Sequence, residues 1–307
     1  MRLSIVSIVI LAVIAAGCAN GGNGLSTPTG VDEQTGNESF DLNNTDTRPG
    51  REGKITIEGV GEFNFDPNQV ESVRGDIFKD GYFPIFDILV HLDSNGAINM
   101  EYHFDEGMNT HVIDSINGKE NWWYYAYYDG GWRERNVFRM DHYPVKDKMY
   151  IRLFEESEKK LENYYKAFRE EIERKEQNGG KVIIPEVSVM APNNDLVFRE
   201  VEVTAHNLRS DMFQPGVITA IDVILSLADQ NEITYDLKWY ESIGSADIVK
   251  NYYVERINND SAYNRCGFVY EAGSHDFRGF QGNHIHVQSD IRVINSPEYV
   301  EWFWICL

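Results

Sequence analysis

Apolar positions recur at helical spacing in two distant parts of the chain. Ile85, Ile88, Leu89 and Leu92 fall on one helical face, and so do Ala220, Val223, Ile224 and Leu227. Pro84 suits the first turn of the first helix, and Thr219 with Asp222 reads as a capping pair for the second. Runs rich in β-branched and aromatic residues precede each helix, at 54–60 and 63–73 in the first half and at 181–190 and 196–205 in the second. Further strands are expected at 98–104, 111–116, 122–128 and 149–154, then at 233–239, 252–257, 267–271, 284–288 and 299–305. Each half therefore reads as one main helix against a mixed sheet, an α+β architecture.

The two halves also share residues. Positions 73–102 align without a gap on 208–237, so that Arg74, Asp76, Phe78, Gly81, Asp87, Leu92 and Ile98 recur as Arg209, Asp211, Phe213, Gly216, Asp222, Leu227 and Ile233. Ile77, Ile88 and Leu89 are matched conservatively by Met212, Val223 and Ile224, and the strand 111–117 is echoed at 252–258. Between the copies, 154–177 is dense in Glu, Lys and Arg, with Glu155/Lys159, Glu156/Lys160 and Glu162/Lys166 at supporting spacing. Its apolar stripe of Leu161, Tyr165, Phe168 and Ile172 is narrow and Gly179-Gly180 ends it, so a solvated connecting helix is expected.

The N-terminal pattern is different. Arg2, an apolar core over 3–14, and Ala15-Ala16-Gly17 before Cys18 have the form of a secretory signal peptide, with a core short for a membrane span. Cys18 after these small residues resembles the lipoprotein cleavage box, although Ala15 stands where that box usually has Leu. Lipidation there would hold the protein on a membrane surface, outside the cytoplasm. Residues 19–50 are rich in Asn, Gly, Ser, Thr and Asp and read as a tether. The expected organisation is a signal peptide (1–17), an acidic disordered tether (18–50), a first domain (51–153), a charged helical connector (154–180) and a second, divergent copy (181–307).

Charge narrows the partners. With 49 acidic against 28 basic residues the net charge is -21, which argues against nucleic acid and against charge-driven binding to anionic lipid. If Cys18 is lipidated, Cys266 and Cys306 remain, either as a disulfide in an oxidising compartment or as two buried thiols.

Several segments of the first half occur in a familiar order: Phe86-Asp87-Ile88-Leu89, Val112-Ile113-Asp114-Ser115-Ile116-Asn117-Gly118, and Trp122-Trp123-Tyr124-Tyr125 leading to Asp129-Gly130-Gly131. Together they resemble the β-grasp-like domain of unknown function related to the C-terminal domain of transcobalamin and intrinsic factor. The resemblance implies tandem β-grasp-like domains and a ligand-binding or adhesive module without catalysis, with cobalamin or another planar molecule as a conceivable ligand. It covers 54–154 and weakens over 181–307, where Arg265-Cys266-Gly267-Phe268-Val269-Tyr270 replaces the tryptophan strand.

Two clusters carry candidate chemistry. The run 122–128 alternates aromatics onto both faces of a strand, so Trp122, Trp123, Tyr125 and Tyr127, with Trp132 behind them, are candidates to stack on a sugar or planar ligand, against the alternative that both faces are covered. His275, His284 and His286 offer imidazoles for zinc or copper, against the alternative of surface histidines. No nucleophile elbow, zincin helix, phosphate loop or paired CxxC motif occurs. The sequence thus points to a non-enzymatic surface lipoprotein that binds a small molecule, a glycan or a surface protein. A structural or adhesive envelope protein and a metal-dependent enzyme built on the three histidines are the alternatives.

Overall fold

The computed structural model describes residues 42, 45–50, 52–128, 138–242, 249–277 and 287–306. The expectations for 1–17, Cys18, Trp132, His284 and His286 lie outside the described residues. The described chain is mostly strand. The first half runs β1 (Gly53–Ile57), β2 (Gly61–Phe65), α1 (Ile85–Ser94), β3 (Met100–Asp105), β4 (Thr110–Ile116), β5 (Trp122–Tyr128) and β6 (Met149–Glu155). After α2 (Glu158–Gln177) come β7 (Val182–Ala191), β8 (Asn194–Val203), α3 (Asp222–Asp229), β9 (Tyr235–Tyr240), β10 (Asn251–Ile257), β11 (Asp260–Ser261), β12 (Cys266–Gly273) and β13 (Tyr299–Cys306). Among the described residues no helix is long and apolar enough to cross a membrane.

The halves repeat one connectivity. The first sheet has the order β2-β1-β6-β5 and the second β8-β7-β13-β12. In each, the first strand pairs parallel with the last and antiparallel with its neighbour in sequence. Each half adds a separate antiparallel hairpin, β3-β4 or β9-β10, and both hairpins break register at the same place, beside Asp114 and beside Glu255. Even the hairpin ends match. Asn117 (φ 52°) and Asn258 (φ 51°) adopt the left-handed conformation and accept from the backbone N–H of Asn99 and Thr234. The disulfide Cys266–Cys306 joins directly paired residues of β12 and β13.

Alternation builds two cores. Ile55, Ile57, Ile151, Leu153, Trp122, Tyr124 and Ala126 form one buried row of the first sheet, clustered with Ile85, Phe86, Ile88, Leu89 and Leu92 of α1. Val187, Val189, Phe268, Tyr270, Val300 and Trp302 do the same with Val223, Ile224 and Leu227 of α3. The expectation of a solvated connector is corrected. α2 buries Leu161, Tyr164 and Phe168 in the first core, and Tyr164 stacks on Trp123 at 4.9 Å. The stripe misled because it read Tyr165 in place of Tyr164 and counted Ile172, which is only half-buried.

A buried guanidinium fastens each half. Arg74 donates twice to Asp76 (2.9 and 2.7 Å) and once to Asp141 (2.7 Å); Arg209 donates twice to Asp211 (2.9 and 2.8 Å) and once to Asp290 (3.1 Å). Asp141 also accepts the backbone N–H of His111, and Asp290 that of Tyr252, which ties the fork to the hairpin. The repeat makes Arg and its near Asp legible in sequence. Its third member was missed, because 139–145 and 288–294 have little in common beyond that Asp.

Equivalent residues also meet at the seam between the halves. Phe78 and Phe213 lie 5.5 Å apart, the Lys79 N–H donates to Met212 O (2.9 Å), and the Gln214 N–H donates to Ile77 O (2.8 Å), the reciprocal pattern of a local two-fold. Lys146 of the first half donates to Val249 O of the second. The end of the expected tether joins them: Thr47, 5% exposed, lies 2.7 Å from Tyr82 Oη and donates to Asp211 Oδ2 at 2.5 Å. The tether reading is therefore corrected at its C-terminal end, where a small hydroxyl residue finds two polar partners in the seam.

Removing one member of a buried charge pair strands the other in low dielectric, at a cost of about 3–5 kcal/mol. Arg209→Met is expected to lower unfolding stability on that scale in urea titrations, and adding Asp290→Asn to recover part of the loss. A cost below about 1 kcal/mol for the single variant would show that the fork is not what holds the second half.

Candidate functional site

Catalytic groups commonly have shifted proton equilibria. Burial opposes ionisation of Asp141, but hydrogen bonds from His111 and Thr110 and the charge of Arg74 outweigh it and hold the carboxyl below its usual range. Burial pushes His142 well below the usual imidazole range; its Nε2 lies 2.9 Å from an Arg74 Nη that can only donate, so the ring is a neutral acceptor. Burial lowers Lys146 to about 7, with Asp290 opposing, and its ammonium is committed to the seam. These groups are inside the protein, serving backbone and each other.

Asp87 shows what the duplication changed. Its counterpart Asp222 accepts from the His206 N–H (2.9 Å), the His206 ring (3.1 Å), the Thr219 N–H (2.7 Å) and the Thr219 hydroxyl (2.9 Å). In the first half Pro84 stands for Thr219 and Glu71 for His206, which removes those side-chain donors and one backbone N–H. Both Asp87 oxygens are buried without a hydrogen bond of normal geometry. Burial pushes the carboxyl up to about 7, only partly offset by nearby Ser72 and the Val73 N–H. The crevice lined by Phe86, His111, Trp122, Trp123, Tyr165 and Phe168 has room for no more than about one water molecule.

The strand of aromatics divides by alternation. Trp122 (2% exposed) enters the core and donates its indole N–H to Lys119 O at 2.8 Å. Trp123 (4% exposed) faces the other way, but α2 covers it. These two are core residues, and the expectation that they offer open stacking rings is corrected. Trp132 lies outside the described residues. Tyr125 and Tyr127 share the outer face with Trp123 and are half-buried, each stacked on a residue of β6: Tyr125 on Phe154 at 4.4 Å and Tyr127 on Tyr150 at 5.1 Å.

The outer face continues across the sheet. Register places Glu62, Thr56, Arg152 and Tyr125 in one rank, and Lys54 faces Asn64 in the next. Tyr150 stands 52% exposed. Arg152 Nε pairs with Glu58 at 2.6 Å and Lys54 with Glu62 at 2.6 Å. Thr56, Glu58, Glu62 and Arg152 border a shallow hollow, open to solvent, beside the β1–β2 turn. Sequence reasoning found Tyr125 and Tyr127 from alternation alone. It missed Tyr150, Arg152, Glu58 and Thr56, which only the strand register brings together.

The second half supplies a control. By the same register Glu271 stands for Tyr125, Gly273 for Tyr127, Glu301 for Arg152, Ser188 for Thr56, Met190 for Glu58 and Val197 for Glu62. Tyr299, the counterpart of Tyr150, is buried beneath the stacked ring of His275. That stack is where the structure places His275; His284 and His286 are outside the described residues. No group of three or more metal-binding side chains occurs among the described residues.

A carboxyl whose pKa is higher folded than unfolded contributes stability that is full below about pH 4 and is lost as pH rises through about 7. Asp87→Asn is therefore expected to gain on the parent by roughly 2 kcal/mol between pH 5 and pH 8 in paired urea titrations, groups common to both chains cancelling. Parallel pH profiles would show that Asp87 ionises freely.

Compared with protein-family models, curated proteins and solved structures, the chain matches none.

Proposed function

We propose that this protein is a lipid-anchored, extracytoplasmic, non-catalytic binding protein. Two β-grasp-like domains are fused through α2 and the seam, and the outer face of the first sheet receives the ligand. The β-grasp-like reading is supported in each half by a hairpin, a helix and a last strand running parallel beside the first. The anchor rests on the form of residues 1–18. The absence of catalysis is supported by the commitment of Arg74, Asp141, His142 and Lys146 to buried internal partners.

The observation that carries the binding face is the difference between equivalent positions. The fold keeps Arg74/Arg209, Asp76/Asp211 and Gly81/Gly216 in both halves. The same fold stands in the second half without Tyr125, Tyr127, Arg152 or Glu58, so folding does not require that set. Half-exposed rings beside charged and hydroxyl groups are the usual make-up of a recognition surface.

The full chain extracted from its own membranes in non-ionic detergent is expected to carry a bound compound or polymer detectable by mass spectrometry. The Tyr127→Ala/Tyr150→Ala double variant is expected to retain at most a tenth as much. Equal retention by both chains would remove the first sheet as the site.

A further inference from the structure

Resting on that reading of the outer face, we infer that Tyr150 and, one rank along β6, the hollow bordered by Arg152, Glu58, Thr56 and Glu62 take a neutral glycan chain. Tyr150 stacks one face on Tyr127, with 18° between the planes, and β6 lies between β5 and β1. The opposite face of the Tyr150 ring is therefore turned toward β1. A pyranose presents an apolar C–H face and a rim of hydroxyls, so it can lie on that ring while its rim reaches the polar floor.

The floor suits hydroxyls on adjacent carbons. Arg152 and Glu58, 2.6 Å apart with 44% and 40% of their side chains exposed, set a donor beside an acceptor. One hydroxyl accepts from the guanidinium while its neighbour donates to the carboxylate. Thr56, which both donates and accepts, and Glu62 extend the same chemistry along the hollow.

Charge and shape exclude other occupants. Lys54 and Arg152 are balanced by Glu62 and Glu58, and the chain carries -21 overall, so a sulfated, phosphorylated or uronic glycan meets no excess of positive charge. A planar apolar ligand needs most of its surface enclosed, and this hollow is shallow and polar-rimmed. A protein partner favours a patch centre depleted of charge, whereas two ion pairs occupy this one. Successive ranks of the face are about 7 Å apart along the strands, and the hollow is open to solvent, so a chain of sugars can run on past the first ring.

The test is native electrophoresis of the full chain in non-ionic detergent, through gels containing soluble β-glucan, galactomannan or starch, with alginate as the anionic control. Retardation by at least one neutral polymer and not by alginate is expected. Tyr150→Ala should weaken the apparent Kd at least ten-fold, Arg152→Ala several-fold, and Val197→Ala on the second sheet not at all; melting curves confirm that each variant is folded. Free migration through all three neutral gels, or retardation indifferent to Tyr150→Ala, overturns the glycan. A Tyr150-dependent ligand of another class in the co-purification experiment would then leave the binding face standing and only its ligand reassigned.

Discussion

Each half is organised around an arginine almost wholly withdrawn from water. Arg74 and Arg209 use a planar fork of donors, two on a carboxylate two residues along the chain and one on a carboxylate brought from the turn before the last strand. A guanidinium stays charged when buried, so its partners must be supplied by the fold, and the fork's rigid geometry fixes where they lie. The far carboxylates also take a backbone N–H from β4 or β10, so one cation sets the loop before the helix, the hairpin and the last turn relative to one another. The rings of Phe104 and Trp239, at equivalent hairpin positions, lie 5.5 and 5.6 Å from these guanidiniums and screen them from solvent.

Joining two such units gave a seam with its own requirements. The backbone exchange at Phe78 and Phe213 is symmetric, but the remaining contacts are not. Thr47 covers Asp211, which is 8% exposed, while its counterpart Asp76 is 62% exposed. The segment leading from the proposed anchor thus ends on one half's fork, and α2 covers one half's sheet. A pair of similar units acquired a fixed polarity through pieces that belong to neither repeat.

Local periodicity made α1, α3, β5 and β6 legible to within a residue or two, because each is bounded by turn residues and has a single period. The repeat of Arg, Asp, Phe and Gly made the duplication legible. What depends on pairing was not. Trp122 and Trp123 read as candidates for exposure, since alternation shows that neighbours point apart but not what lies on either side; α1 and α2 each took one. The run 63–73 was expected to be strand throughout, yet β2 ends at Phe65, where Asp66 accepts from the Asn68 N–H and starts a tight turn. Arg152 and Glu58 are 94 positions apart in the chain, and nothing in either neighbourhood signals the parallel pairing of β1 and β6 that unites them.

An internal duplication lets the demands of folding be separated from those of function within one molecule. Positions that fold the chain are held twice: the arginine forks, Tyr124 and Tyr270 donating to Phe138 O and Val287 O, and the left-handed Asn117 and Asn258. The outer sheet faces keep one ring, Tyr150 and Tyr299, but Tyr125, Tyr127, Arg152 and Glu58 give way to Glu271, Gly273, Glu301 and Met190. Burial explains the first set, because removing a partner inside a protein costs more than exposed positions ever do. Burial also separates the two outer faces: Ser188, Glu271 and Tyr299 are covered on the second, whereas Tyr150, Arg152 and Glu58 stay exposed on the first. The exposed set on the first face, which folding leaves free to vary, is what the proposed ligand would act on.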